Sequence, residues 1–218
     1  ALHLGMSGQL LFRDDGEAGD PSHIAAVVSL ERGARLIFRD QRTFGWLRSS
    51  PLVPTSDGAP GGAGTARPLV PLHAAHIARD PHDPAFDLEA VAARLHARTA
   101  AIKGLLLDQT IISGIGNIYA DEALFAARLH PLRPGASISV RTLERLVGEA
   151  NRVMAEAIAA GGTSFDALYV NTAGNSGYFE RELQAYGRRG LPCLKCGRLM
   201  ESLIVAGRSS HVCSNCQK

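Results

Sequence analysis

The only four cysteines of this 218-residue chain stand as two pairs, Cys193-Leu-Lys-Cys196 and Cys213-Ser-Asn-Cys216, with sixteen residues between them. Two residues between thiols let one tight turn aim both sulfurs at a single ion, and an intervening loop of this length brings the second pair round. The spacing predicts one zinc ion held by Cys193, Cys196, Cys213 and Cys216. Four sulfurs close the coordination shell, so such an ion builds structure and does not catalyse. Two disulfides of a secreted protein are the competing arrangement. Against it stand the lack of a signal-peptide pattern and of any further cysteine, which together suggest a cytoplasmic, bacterial protein.

Between the pairs, Leu199–Ala206 and Ser209–Cys213 read as two short strands with Gly207-Arg208 as the turn. A lone arginine at a turn is ordinarily just solvated, but the charge distribution favours a role for Arg208. Residues 179–218 carry seven Lys/Arg against three Glu, leaving 16 basic and 18 acidic groups in the first 178 residues. A chain of net charge +2 therefore ends in a segment of net charge +4, and the asymmetry points to a polyanion, most simply nucleic acid.

The rest of the chain has the 45% apolar and 20% charged content of a globular protein, with no apolar run of the ~18 residues that a membrane span needs. Residues 1–48 read as β-structure. Ala25–Leu30 and Ala34–Phe38 flank Glu31-Arg-Gly33 as a hairpin, and Gly5 and Gly8 mark a bulge or the close approach of another backbone. Met6 between them is either ordinary core or something more. Residues 49–71, with five prolines around Gly58–Gly64, read as a flexible loop or linker. From Asp87 the period becomes helical: Leu88, Val91, Ala92 and Leu95 share a face, Ile102–Ile112 reads as a buried helix, and a stripe from Leu143 to Ile158 ends at Gly161-Gly162. Thr163-Ser-Phe-Asp166 resembles a capping box. The expected fold class is α+β: β-structure first, helices from Asp87, and a zinc finger over 179–218.

Two glycines in Ser113-Gly-Ile-Gly-Asn117 lead into a further helix. Glycines there let a phosphate approach free backbone N–H groups, where the helix dipole also favours an anion, although helix packing explains most such turns. Asn117 adds a side-chain donor and Lys103 lies one helix upstream, which would make a clamp that grips phosphate and does not read sequence.

Several motifs agree in order: His3-Leu-Gly-Met-Ser-Gly8, Asp40-Gln-Arg-Thr-Phe-Gly45, Gly114-Ile-Gly-Asn-Ile-Tyr119, Gly177-Tyr-Phe179 with Tyr186-Gly187, and the four-cysteine finger. Together they closely resemble the formamidopyrimidine-DNA glycosylase branch of the Fpg/Nei base-excision repair family, over essentially the whole chain. The resemblance implies a partial β-sandwich over residues 1–84, a helix-two-turn-helix DNA-binding domain over 85–178, and a bifunctional glycosylase and AP lyase that flips oxidised purines such as 8-oxoguanine out of double-stranded DNA. It implies a monomer, with no membrane partner. Carried over residue by residue, Met6 fills the gap left by the everted nucleotide, Arg42 bonds the orphaned cytosine, and Phe44 wedges beside it. Asn117, Lys103 and Arg208 contact phosphates, and the loop holding Asn171, Gly177 and Tyr178 forms a lid over the extruded base.

The family's nucleophile is an N-terminal proline followed by a glutamate, both preceding the His3–Gly8 strand. This chain opens at Ala1-Leu-His-Leu, inside that strand. The expectation is therefore a piece of a longer product, with no catalytic residue in this chain and no activity on its own. Ala1 has a free amine but no acid beside it. Thr43, where relatives often have a second arginine, weakens one phosphate contact. The alternative is a non-catalytic zinc protein that binds damaged DNA.

Overall fold

Period-two runs of large apolar residues dominate the first fifty positions, and in the computed structural model they pair as such runs do. Residues 1–5, 8–14, 22–62, 64–162 and 183–218 are described. Met6, Asn171, Gly177, Tyr178 and the expected helix start at Thr163–Asp166 lie outside them. Strands β1 (Leu2–His3), β2 (Gln9–Arg13), β3 (Ile24–Ser29), β4 (Arg35–Arg39) and β5 (Trp46–Leu47) form two antiparallel sheets, ordered β2-β4-β3 and β1-β5. The expected hairpin is β3–β4, joined by a 3-10 turn at Glu31–Gly33 and bulged between Ile24 and Ala26. Leu11 of β2 and Phe38 of β4 are the buried anchors of the three-stranded sheet. The expected close approach at the glycines is present. A Cβ on Gly5 would lie 2.7 Å from the Phe44 carbonyl carbon, and one on Gly8 2.3 Å from the Leu4 carbonyl oxygen.

The chain divides into two units, one built on Ala1–Ser50 and the other on Pro51–Ala155 with Leu183–Lys218. Residues 51–84 join the helices, and the finger packs into the same unit. The ties are hydrogen bonds: Ala78 N–H to the Gln109 carbonyl, His130 N–H to the Lys218 carbonyl, and the Gln217 side chain to the Leu129 carbonyl, all within 3.0 Å.

The proline-rich stretch, expected to be a flexible loop or linker, holds two short strands. Strands β6 (Leu52–Pro54) and β7 (Leu69–Pro71) pair antiparallel. Arg79 then pins the intervening turn through both carboxylate oxygens of Asp57 and the Pro60 carbonyl, while also pairing with Asp83 at 2.7 Å. Composition hid this, because the stabilising partner lies some twenty residues downstream.

Helix α1 (Leu88–His96) starts where Asp87 accepts the Ala90 N–H at 2.9 Å, and it buries Val91, Ala92 and Leu95. Helix α2 covers only Ile102–Leu106, shorter than the expected run to Ile112. The Asp108 carboxylate takes the N–H and hydroxyl of Thr110, a local turn that competes with the helix, although Ile111 and Ile112 remain buried. Helix α3 (Asn117–Ala126) ends where Arg128 turns to a φ of 60°. Helix α4 (Val140–Ala159) ends at Gly161 and Gly162, both at positive φ, with the Gly162 N–H on the Ala157 carbonyl. Leu95, Ile102, Leu106, Leu124, Leu143 and Leu146 form the centre of this core, each fully buried side chain worth about 1.5–3 kcal/mol. No helix among the described residues is long and apolar enough to cross a membrane.

Strands β8 (Glu201–Val205) and β9 (Arg208–Val212) complete the chain. Their turn is Ala206-Gly207, with φ of 49° and 74°, and Arg208 already pairs with Val205. The expected turn at Gly207-Arg208 is therefore displaced by one residue. Two consecutive positive φ angles give the twist that matches a two-residue hairpin.

Candidate nucleic-acid interface

The four cysteine sulfurs lie within 4.8 Å of one another, with Cys193–Cys216 at 3.9 Å and Cys196–Cys213 at 3.5 Å. Sulfurs about 2.3 Å from a tetrahedral zinc are about 3.8 Å apart, so the donor set fits one ion and the thiols are not paired as disulfides. The knuckles supply different environments. Hydrogen bonds from the Arg198 backbone and the Asn215 side chain lower the Cys196 thiol to about 6, whereas burial pushes Cys216 up to about 12. Phe125 of α3, Ala185 and Met200 pack around Cys193 and Cys213, and Lys195 sits over the Phe125 ring at 4.6 Å. The finger is thus a structural zinc site seated on α3.

Sequence reasoning missed what orients the hairpin on that helix. Asp121, one turn into α3, is buried and its carboxylate accepts four hydrogen bonds: Lys103 Nζ at 2.7 Å, Ser210 Oγ at 2.9 Å, His211 N at 2.9 Å and His211 Nδ1 at 3.0 Å. The Ser209 carbonyl accepts from Lys103 Nζ at 2.8 Å and from Asn117 Nδ2 at 3.0 Å. Beside it, Glu122 accepts the N–H groups of Gln184, Ala185 and Tyr186 at 2.8–2.9 Å, fixing the chain's entry to the finger. Two adjacent acids in the otherwise apolar Ala120–Ala126 run were the available signal, since buried acids require partners.

Lys103 was expected at a phosphate; that expectation is corrected. Its side chain is fully buried, held between Asp121 and the Ser209 carbonyl. Burial lowers the ammonium below the usual lysine value, Asp121 raises it, and the nearby charge of Arg208 lowers it again. Lys103 therefore fixes the hairpin from beneath.

Asn117 and Arg208, by contrast, are brought together around Ser209. Arg208 is exposed at the start of β9, and Asn117 opens α3. The N-cap of α3 is Gly116, which offers no side chain to the first N–H groups of the helix. A Cβ on Gly116 would meet nothing within 4 Å among the described residues, so their packing does not require glycine there. At Gly114 the φ is 81° and an added Cβ would press on Met154 Cε at 3.0 Å, so that glycine is explained by the turn itself.

Arg42 and Phe44 sit together on the turn between β4 and β5, Phe44 60% exposed and Arg42 half-buried. The Asp40 carboxylate closes that turn on the Gly45 N–H.

Family models match the chain over three stretches: the formamidopyrimidine-DNA glycosylase N-terminal domain over residues 1–47, the formamidopyrimidine-DNA glycosylase H2TH domain over residues 77–168, and the zinc finger found in FPG and IleRS over residues 190–218. The formamidopyrimidine-DNA glycosylase of Leifsonia xyli subsp. xyli is 51% identical over 219 residues, covering 99% of this chain and 74% of the relative. That of Corynebacterium jeikeium is 46% identical over 217 residues, covering 100% and 75%. Among solved structures, MutM (Fpg) from Thermus thermophilus superposes with a TM-score of 0.77 at 34% identity, covering 99% of this chain and 74% of that one. The Lactococcus lactis Fpg in complex with abasic-site DNA gives 0.74 at 27% identity, covering 100% and 73%.

Proposed function

This chain belongs to the formamidopyrimidine-DNA glycosylase family, and from that premise we propose that it serves the removal of oxidised purines, 8-oxoguanine and formamidopyrimidines, from duplex DNA, with AP-lyase cleavage of the strand. The observation that most supports the reading is the uncapped start of α3. Backbone N–H groups, Asn117 and Arg208 share one small surface, and Gly116 leaves space over it. Such a surface suits a phosphate oxygen, because hydrogen-bond donors and the positive end of the helix dipole converge there.

The proposed roles divide between the two units. Asn117 and Arg208 grip the backbone, while Lys103, Asp121 and the zinc hold Arg208's hairpin in place. Arg42 bonds the base left without a partner, and Phe44 enters the stack beside it. Extruding a nucleotide costs roughly a few kcal/mol, which filling the vacated stack with apolar side chains offsets. Met6 takes the vacated position in this reading, and the loop of Asn171, Gly177 and Tyr178 covers the extruded base. The chemical steps are assigned to no residue of this chain.

Fluorescence anisotropy with zinc-loaded protein tests the reading. Abasic-site duplex is expected to bind more tightly than undamaged duplex, with affinity falling steeply as salt rises. Equal affinity for both duplexes, or none that salt alters, overturns it. Borohydride trapping on 8-oxoguanine duplex, run with this chain and with one extended at its N-terminus, separates the enzyme from a non-catalytic damage binder. A trapped adduct with the extended chain supports the enzyme, and none with either supports the binder.

A further inference from the structure

We infer that Asp40 is a positioning residue for opposite-base recognition, strapping the turn from which Arg42 addresses the orphaned base. The inference rests on the role proposed for Arg42 above. Asp40 follows β4 and is 5% exposed. Its N–H donates to the His23 carbonyl at 2.9 Å, and its Oδ2 accepts the Gly45 N–H at 2.6 Å. One side chain therefore closes the base of a loop whose middle residues are Gln41, Arg42, Thr43 and Phe44.

That loop is held in a conformation it would not adopt freely. Thr43 has a φ of 56°, a region that β-branched residues avoid, and its hydroxyl donates to the Arg42 carbonyl at 2.7 Å. At the foot of the loop there is no slack. A Cβ on Gly45 would lie 2.6 Å from Phe38 Cζ, 2.8 Å from the His3 carbonyl oxygen and 2.9 Å from Asp40 Oδ2. On the other side, the backbone of Gly5 is packed against Phe44 and Gly45. A strained loop that surrounding groups over-determine, with Phe44 exposed and Arg42 half-buried beside it, is preorganised to hold both side chains in place. Among the described residues, the second oxygen of Asp40, Oδ1, is buried with no hydrogen-bond partner.

The test is the ratio of affinities for two abasic-site duplexes that differ only in the opposite base, cytosine or adenine, measured by anisotropy on the zinc-loaded full chain. A bidentate arginine supports a preference for cytosine of roughly tenfold, which Arg42→Ala should abolish. Asp40→Ala is expected to bring the ratio to within about twofold while Arg42 is still present, because the unstrapped loop no longer fixes its arginine. Asp40→Asn keeps an oxygen for the Gly45 N–H and should restore most of the preference. If Asp40→Ala is unfolded by circular dichroism, Asp40→Ser, whose hydroxyl is too short to reach, replaces it. A preference retained in the Asp40→Ala or Asp40→Ser protein but lost in Arg42→Ala overturns this inference alone. A preference unaffected by Arg42→Ala overturns both it and the role of Arg42.

Discussion

Lys103 Nζ lies 2.7 Å from Asp121 Oδ1 with neither side chain exposed, and the same ammonium reaches the Ser209 carbonyl of the zinc hairpin. A buried ion pair is a weak source of stability, since desolvating both charges opposes their attraction. Here it has a second consequence: it fixes where the hairpin that carries Arg208 sits on helix α3.

Breaking that pair from one side should be severe. Asp121→Ala leaves a buried ammonium and strips β9 of its anchor, and urea unfolding is expected to show a loss of about 3–5 kcal/mol. Replacing both partners, Lys103→Met with Asp121→Leu, should recover only the part lost to the unpaired ammonium, since Ser210 Oγ and the His211 N–H still lack their acceptor. DNA affinity should stay low in the double variant, because Ser209 no longer holds its place. Recovery of both would detach the pair from the proposed clamp.

Gly116→Val probes the space above α3. No atom of the described residues lies within 4 Å of the added Cβ and the φ of −95° is ordinary, so the melting temperature should change little. Duplex affinity should fall by about tenfold, as a branched side chain occupies the position proposed for a phosphate. Unchanged affinity in anisotropy titrations would place the phosphate elsewhere.

Arg208→Ala removes a single exposed cation. Affinity should weaken for all sequences alike, and the slope of log affinity against log salt should shrink by about 1. An unaltered slope would mean that Arg208 makes no phosphate contact.

Removing zinc should unfold the finger, since Cys193, Cys213 and Met200 form one small core around the ion's site. Excess chelator is expected to abolish DNA binding in step with metal release, followed by atomic absorption. Burial raises the metal-free Cys216 thiol to about 12, so zinc must displace a proton there. Zinc affinity should accordingly fall on going from pH 8 to pH 6, and competition with a chelating dye measures the difference.

Asp57 gives an acid-side signature. Its hydrogen bond to Arg79 holds the carboxyl well below its ordinary value of 3.8. A depressed folded-state value means that the pair stabilises the β6–β7 loop in full above the ordinary value, and that the contribution is lost as pH falls from there through the depressed one. Asp57 is 43% exposed, so solvent screening limits the gain to roughly 0.5 kcal/mol. Asp57→Asn should cost that amount at pH 7 and markedly less at pH 2, read from thermal melts at both.

What the chain declared unaided was set by local spacing or local sterics. The two cysteine pairs specify their tetrahedron because the short link between paired thiols fixes where each knuckle can aim its sulfurs. The period change at Asp87 and the paired glycines after α4 announce helices and their ends because capping groups lie within a few residues of what they cap. Gly5 and Gly8 marked a close approach, since only a missing Cβ permits it, although the backbone that Gly5 meets, at Phe44, is distant in sequence. Partners distant in sequence decided the remainder. Lys103 looked like a phosphate ligand until folding enclosed it between Asp121 and Ser209, and the proline-rich stretch looked mobile until Arg79 reached back to Asp57 and Pro60. A side chain's charge is written in the sequence, but whether that charge meets solvent, a phosphate or a buried counterion depends on which segments pack against it, and only the tertiary structure decides that.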